Sequence, residues 1–223
     1  MMKFYTLFAV LVFSCLNSID AYAQKVLTEG MLKYNISIES SNGEKQIAGS
    51  LNGATLSIYL TKDKSRSEMI STPGTETTVF DNRTGKGFIL KEYSGQKLMI
   101  TVTAENWMQK NLVNTNLKFE TQSGNFNIGN YTCKKAIAQS ENGKLYTVYY
   151  DPSVVVVNKQ YNNAFSQLVG LPIQYELSSG NLIFKYSLIS TTIDAINTGK
   201  FDAPKAGFRI MSYEENQQLK KGE

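Results

Sequence analysis

The 223-residue sequence contains no histidine, the commonest general base in enzymes. Composition alone therefore excludes Ser/His/Asp triads, Cys/His nucleophile pairs and metal sites that depend on imidazole. The 23 Lys and Arg residues against 19 Asp and Glu give a net charge of +4, which is too small and too scattered to predict a nucleic-acid partner. We expect a folded protein that is not an enzyme, with no cofactor and no metal.

The first 23 residues have the three parts of a secretory signal peptide. Met1–Lys3 is a short basic start, Phe4–Leu16 is apolar, and Ala21–Ala23 reads A-x-A, a cleavage motif. The apolar run is shorter than the roughly 20 residues that span a membrane. We expect cleavage before Gln24 and export to the periplasm. The alternative is a lipoprotein box that ends at Cys15, whose acylation would anchor the protein to a membrane.

Residues 24–223 contain one cysteine, Cys133, so an internal disulfide is excluded. No histidine is present to activate this thiol, and we expect Cys133 to be a small buried apolar residue. The mature chain shows no linker, low-complexity segment or internal repeat. We therefore predict that residues 24–223 form a single domain.

Alternating apolar and polar residues recur along most of the mature chain, and this pattern predicts half-buried strands. Within 32–39, for example, Tyr34, Ile36 and Ile38 should share one face. Turn signals such as Ser41–Gly43 and Ser94–Gly95 separate the strands and predict antiparallel hairpins. The candidate strands are 32–39, 56–60, 75–82, 86–93, 96–104, 117–122, 131–140, 144–150, 173–179, 181–193 and 207–212.

Three segments have helical character instead. Ala104–Asn114 has helical spacing without Gly or Pro, and Asn158–Val169 places its apolar residues on one face before Gly170 ends the predicted helix. A third, polar helix is predicted over Tyr213–Lys221. Two or three helices cannot cover a sheet of about ten strands, so the sheet must curl into a barrel or half-barrel or split into a sandwich. We favour a mainly β fold with a single curved antiparallel sheet, a half-barrel of about ten strands, and helices over its mouth.

Two segments partly match catalytic or ligand-binding motifs, but their surrounding sequence favours turns. Ser94–Lys97 fits S-x-x-K, but its Ser-Gly pair lies in a predicted hairpin turn rather than at the start of a helix. Asp81–Gly87 lacks the first glycine of a phosphate loop and the spaced carboxylates of a calcium loop. Both are interpreted as turns.

The second half of the chain resembles two groups of exported proteins. Tyr131–Ala136, Gly143–Pro152 and Val169–Ile173 resemble the GLPGLI family and related families of unknown function. In that family a Cys-Lys strand precedes an aromatic strand that ends in proline, and a Gly-Leu-Pro segment follows. Phe201–Met211 resembles the closing strand of envelope proteins with the lipoprotein-carrier (LolA/LolB-like) fold. The resemblance implies a curved antiparallel sheet around an apolar cavity, capped by helices, which in the carriers holds acyl chains.

The 13 tyrosines and 11 phenylalanines suggest where a ligand would bind. Tyrosines suit the rim of a cavity because they are apolar in body and polar at the tip, although they are also ordinary strand formers. Methionines add a soft apolar surface. The candidate cavity and lid residues are Met99, Trp107, Tyr146, Phe165, Leu168, Val169, Tyr175, Phe184 and Tyr186.

These observations predict a periplasmic or cell-envelope binding protein that holds a lipid or other apolar ligand in a cavity of a curved β-sheet. The alternative is an envelope protein–protein interaction module that has a filled core and uses a sheet edge or an aromatic face. We expect a monomer that binds no nucleic acid. An envelope protein partner stays open under both hypotheses.

Overall fold

The structure is a computed structural model that describes residues 24–40, 49, 51–112, 117–139, 145–179 and 181–221. The predicted signal peptide, the alternative acylation site at Cys15 and the predicted turn Ser41–Gly43 lie outside the described residues.

Within these ranges the chain forms fourteen strands and two α-helices. Helix α1 spans Ala104–Asn111, and helix α2 spans Tyr213–Lys221. The strands are β1 Lys25–Leu27, β2 Gly30–Ser40, β3 Thr55–Leu60, β4 Lys64–Ser71, β5 Gly74–Asp81, β6 Lys86–Tyr93, β7 Gln96–Val102, β8 Lys118–Ile128, β9 Tyr131–Gln139, β10 Leu145–Asp151, β11 Val154–Val156, β12 Leu171–Ser179, β13 Leu182–Thr192 and β14 Arg209–Met211.

Twelve of these strands form one sheet that does not close, in the order β14-β7-β6-β5-β4-β3-β2-β13-β12-β10-β9-β8. Its antiparallel part consists of two meanders, one formed by β2 to β7 and the other by β8, β9, β10, β12 and β13, which meet where β2 pairs with β13. Strand β14 pairs in parallel with β7, so the sheet is mixed. Strands β1 and β11 form a separate parallel pair. The mainly β prediction is confirmed, while the sheet has more strands than the predicted ten.

The three strands that were not predicted are short or polar. β1 and β11 each have three residues, too few for an alternating pattern to be recognised. In β4, Ser65 and Ser67 occupy positions where an apolar side chain would have shown the alternation. Ser65 is nevertheless buried, because it lies opposite Phe80 of β5.

Strand β2 has the predicted faces. Tyr34, Ile36 and Ile38 are buried, whereas Asn35 and Ser37 between them are exposed. The Tyr34 hydroxyl donates a hydrogen bond of 2.9 Å to the carbonyl oxygen of Pro172 in β12. The buried face of β2 is thereby fixed to the second meander, across the junction of the two halves.

Helix α1 confirms the prediction over Ala104–Asn114 for its first eight residues. Thr103 precedes it as N-cap and forms a capping box, in which the Thr103 Oγ1 accepts from the Asn106 backbone and the Asn106 Oδ1 accepts from the Thr103 backbone. The Asn106 amide also donates to Glu214 of α2 at 2.7 Å. Helix α2 has the predicted bounds.

The predicted helix over Asn158–Val169 is wrong. This stretch, which we call the turn segment, contains two short 3₁₀ turns, Lys159–Tyr161 and Asn163–Phe165, separated by Asn162 in an extended conformation. The Asn158 side chain donates to the carbonyl oxygens of Thr61 and Lys64 at 3.1 Å each. Asparagine side chains that bond the backbone in this way compete with helical hydrogen bonds, and tertiary bonds here override the helical spacing.

Candidate functional site

A pocket of about 260 Å³ lies on one face of the sheet, between the sheet, α1 and the turn segment. Its walls include side chains from β5 and β12, which are five strand spacings apart in the sheet order. A flat sheet would separate these strands by roughly 24 Å. Because one small pocket contacts both, this face of the sheet is concave. The lining residues are Leu56, Ile58, Ser67, Met69, Glu76, Thr78, Trp107, Lys110, Asn111, Tyr161, Asn162, Asn163, Ala164, Tyr175, Leu177 and Tyr186.

The aromatic floor of the pocket is a cross-strand tyrosine pair. Tyr175 of β12 lies opposite Tyr186 of β13, and their rings stack with centroids 4.7 Å apart. Phe165 of the turn segment packs edge-on against Tyr175 at 4.6 Å, and Tyr34 does so at 5.7 Å. These ring contacts hold Tyr175 between three neighbours, so the floor is preformed.

Helix α1 forms one wall through Trp107. The indole ring stacks on Phe80 of β5, with centroids 4.4 Å apart and an interplanar angle of 8°. Phe80 belongs to a buried cluster with Ile100 and Met211. Trp107 is therefore fixed by the sheet beneath it, and the capping box described above fixes the start of its helix.

The turn segment forms another wall of the pocket. Asn158, which is buried, accepts a hydrogen bond of 2.9 Å from the Asn82 amide in addition to its bonds to the β3–β4 turn. This network attaches the start of the segment to two hairpin turns of the first meander. Tyr161 and Ala164 follow on the two 3₁₀ turns and contact the pocket.

The polar groups that line the pocket include a carboxylate, an ammonium group and hydroxyls. Glu76 of β5 forms an ion pair with Lys91 at 3.8 Å, and both side chains are mostly shielded from solvent. Burial lowers the pKa of Lys91, while the Glu76 carboxylate opposes this shift. Lys110 contributes an exposed ammonium group at the α1 wall. Ser67 and Thr78 add hydroxyl groups.

The tyrosine hydroxyls of this region stay neutral under ordinary conditions. Burial raises the pKa of Tyr186 to about 12, with Glu76 adding to the shift. Burial also raises the pKa of Tyr161 and Tyr175 above the usual value of 10.0. These groups can therefore donate and accept hydrogen bonds, and none of them is poised as a phenolate nucleophile at neutral pH.

The structure brings three of the predicted site residues together at the pocket: Trp107, Tyr175 and Tyr186. Phe165 and Leu168 are buried in the main core behind it, rather than in its lining. Tyr146 also lies in that core. Phe184 is half-buried and packs against the cluster that contains Ile36, Ile38 and Ala54.

Met99 and Val169 do not line this pocket either. Met99 packs against Phe201 on the opposite face of the sheet, since its neighbour Ile100 occupies the face that contacts Trp107. Val169 is 68% exposed to solvent. It follows the second 3₁₀ turn, so the helical periodicity that placed it beside Phe165 does not apply.

Sequence reasoning missed the residues that β4 and β5 contribute. Glu76 and Thr78 alternate with their neighbours in the predicted strand 75–82, so parity would have placed them on the face of Phe80. Ser67 and Met69 lie on a strand that was not predicted. The sequence shows Tyr161 as an aromatic residue of the turn segment. The direction of its side chain, however, depends on the 3₁₀ geometry, which the sequence does not predict.

Cys133 is buried, as predicted, with 1% of its surface exposed. Burial, together with the Asp151 carboxylate, raises the pKa of its thiol to about 11. The residue borders a second pocket of about 740 Å³ near Gln24 and Asp151. Across the described ranges, no group of three or more His, Cys, Asp or Glu residues is placed to hold a metal ion.

No known protein-family model matches the chain, and no curated protein matches it. The resemblance to the GLPGLI and lipoprotein-carrier proteins therefore stays a prediction. Among the described residues, no helix has both the length and the apolar character needed to cross a membrane.

The chain is similar to several solved structures. An uncharacterized conserved protein from Thermus thermophilus has a TM-score of 0.50 and 9% sequence identity, over 90% of this chain and 98% of that one. Two crystal forms of PNGF-II have TM-scores of 0.44 and 0.45 and 13% identity, over 85% and 86% of this chain. The chain spans about one third of the PNGF-II length, 32% and 33% respectively.

Proposed function

We propose that this protein is a non-catalytic binding protein of the cell envelope that takes a lipid or other apolar ligand into the pocket on the concave face. The observation that carries the proposal is the preformed aromatic lining. Trp107, Tyr161, Tyr175 and Tyr186 converge on one pocket, together with Met69. Aromatic rings and a thioether offer a large, adaptable apolar contact surface.

The pocket volume limits the ligand. Small-molecule sites usually measure about 300–1,000 Å³. A pocket of about 260 Å³ lies just below this range and fits one short acyl chain or a small ring system. The proposed ligand is therefore a single-chain or single-ring compound, or one chain of a larger lipid whose remainder stays outside.

The chemistry of the lining supports binding rather than catalysis. The carboxylate in the pocket, Glu76, is held in an ion pair, and burial keeps the nearby Tyr175 and Tyr186 hydroxyls protonated. A general base or nucleophile requires a pKa close to the working pH. The tyrosine hydroxyls described here do not meet that requirement.

Export is part of the same proposal and rests on the sequence of residues 1–23. Strand β1 begins at Lys25, whose backbone N–H donates to the Ser153 carbonyl at 2.7 Å. Cleavage before Gln24 would leave this strand intact. Intact-mass measurement of the purified protein should give a chain that starts at Gln24. A mass that corresponds to an acylated chain beginning at Cys15 would instead establish a membrane anchor.

Fluorescence of the neutral dye N-phenyl-1-naphthylamine tests the binding proposal. The wild-type protein should bind the dye, and Ser67→Phe should abolish binding because it fills the pocket from β4. Ser57→Phe is the matched control, since Ser57 lies on β3 but points to the opposite face from Leu56 and Ile58. The proposal is wrong if the wild-type protein does not bind the dye or if Ser67→Phe binds it as well as Ser57→Phe.

The edge strand β8 supports the second candidate, an interaction module. β8 is one end of the twelve-stranded sheet, and most of its eleven residues are exposed. An open edge is a template for pairing with another strand. However, the register shifts between Gln122 and Phe126, and Gly124 has φ of 104° within this bulge. Such a bulge disrupts the edge and discourages pairing with another strand. We therefore place the interaction module second to the ligand-binding function.

A further inference from the structure

Three lysines form a cluster at the pocket on the concave face. Lys110 of α1 lines the pocket, and Lys91 of β6 lies opposite Glu76, another lining residue. Burial lowers the pKa of Lys91, Glu76 opposes this shift, and the ammonium groups of Lys220 and Lys110 add to it. Exposed charges act on one another over roughly a Debye length, about 8–10 Å. Lys91 therefore has both other lysines as near neighbours.

The lysine cluster has an excess of positive charge. Glu76 pairs with Lys91 at 3.8 Å, whereas no carboxylate of the described residues lies within ion-pair distance of Lys110 or Lys220. Glu214 bonds Asn106 in the first turns of α2 and α1, but the two lysines lie in the last turns of these helices. Like charges that are held together repel one another, and a bound anion would offset this repulsion.

A ligand in the pocket can reach the cluster through Lys110. This residue belongs to the lining and is also exposed to solvent, so it lies at the mouth of the pocket. Tyr175, by contrast, is 2% exposed and forms the floor. Asn111 and Asn163 also line the pocket, and amide side chains can donate hydrogen bonds. The pocket thus combines an apolar floor with a cationic group at its mouth, which suits an amphiphile.

We propose that Lys110, with Lys91 and Lys220 beside it, binds the anionic head group of a single-chain lipid whose hydrocarbon chain occupies the pocket. The head group is a carboxylate or a phosphate, since ammonium groups form charge-assisted hydrogen bonds with both. This inference rests on the proposed function, because it requires that an apolar chain enters the pocket. It adds the charge of the ligand and the side chains that recognise it.

Displacement of N-phenyl-1-naphthylamine by octanoate, octyl phosphate and methyl octanoate tests the head-group site. The three probes have the same chain length, and only the ester is uncharged. The wild-type protein should bind at least one of the anions more tightly than the ester, and the anion that binds more tightly identifies the head group. Binding of the ester as tightly as both anions would overturn the proposal.

The double variant Lys110→Gln/Lys220→Gln removes the two lysines that have no ion pair among the described residues. Binding of the preferred anion should weaken by roughly 2- to 30-fold, the combined effect of two exposed charge contacts. Binding of methyl octanoate should not change. A structural role for these lysines would weaken all three probes alike, and that result would overturn the proposal.

The double variant Lys33→Gln/Lys185→Gln is the matched control. It lowers the net charge by the same amount, but both lysines point to the other face of the sheet. Lys33 lies opposite Ser57 of β3, between the lining residues Leu56 and Ile58, and Lys185 precedes the lining residue Tyr186. Anion binding should stay at the wild-type level. An equal loss in both double variants would show that only the net charge matters, and would overturn the site.

The dependence on salt gives a second test. Added sodium chloride should weaken binding of the preferred anion to the wild-type protein and should not weaken binding of the ester, because salt screens exposed charges. Anion binding that does not respond to salt would contradict a contact with the exposed lysines. The two proposals fail differently: absence of dye binding by the wild-type protein contradicts the proposed function, whereas dye displacement without preference for an anion contradicts the head-group site alone.

Discussion

At the scale of single residues, strand β2 shows how position on the sheet decides tolerance to a charge. Ile36 is 2% exposed, whereas its neighbour Ser37 is exposed and lies opposite Lys185 of β13. Ile36→Asp should lower the free energy of unfolding by several kcal/mol, on the order of 3–5, because it buries a charge without a partner. Ser37→Asp should change it by less than about 0.5 kcal/mol.

Urea denaturation of both variants measures this difference. Ser37→Asp is the internal control, since the same carboxylate is introduced one residue away and faces a lysine. Equal destabilisation by the two substitutions would contradict the observed faces of β2.

The faces of β2 were predictable from alternation, whereas the position of Met99 was not. Strand β7 contains consecutive apolar residues, Leu98, Met99 and Ile100, and both of its faces are covered. Parity shows that Met99 and Ile100 point in opposite directions. It does not show which of the two faces the pocket, because that depends on where α1 and the segment around Phe201 pack.

At the scale of secondary-structure elements, the turn segment is core rather than lid. Phe165 and Leu168 are 5% and 3% exposed and belong to the main core. Phe165→Ala should cost about 3–5 kcal/mol and Leu168→Ala about 2–5 kcal/mol of unfolding free energy. The double variant should therefore melt at a much lower temperature without any ligand present.

Val169→Ala is the control for this prediction. Val169 is 68% exposed, so its truncation should change the melting temperature little. If the double variant kept its ligand-free stability and lost only dye binding, the turn segment would be a lid whose burial depends on the ligand.

A comparison of α1 with the turn segment explains why the sequence predicted one helix correctly and the other wrongly. α1 begins at a capping box, Thr103 with Asn106, and these bonds support the helix. In the turn segment, Asn158 caps a 3₁₀ turn but also bonds Thr61 and Lys64, which are distant in sequence. Periodicity cannot reveal such tertiary bonds. The sequence could therefore predict the residues of the aromatic floor, Tyr175 and Tyr186, and of the α1 wall, Trp107. It could not predict the lining residues from β4 or from the turn segment.

At the scale of the whole molecule, buried tyrosines make stability depend on alkaline pH. The pKa of Tyr186 rises from 10.0 to about 12 on folding, and burial shifts Tyr34, Tyr161 and Tyr175 in the same direction. The folded state therefore holds these protons more tightly than the unfolded state. Their contribution is fully present below about pH 10 and is lost as pH rises toward 12.

Tyr186→Phe tests this linkage because it keeps the stacked ring and removes the ionising group. The variant should lose less unfolding free energy than the wild-type protein between pH 10 and 12, measured by urea denaturation across that range. Absorbance titration of the tyrosines should show one fewer high-pKa group. An unchanged pH dependence would contradict the burial of this hydroxyl.

The junction of β2 with β13 has a consequence for the order of folding. The register joins Met31 to Thr192 and Ser40 to Leu182, so each contact closes a loop that spans most of the chain. Each meander contains mostly local pairings, but the junction forms only after β13 has left the ribosome. Such a high contact order slows folding. A nascent chain of this topology therefore cannot complete its twelve-stranded sheet until β13 emerges.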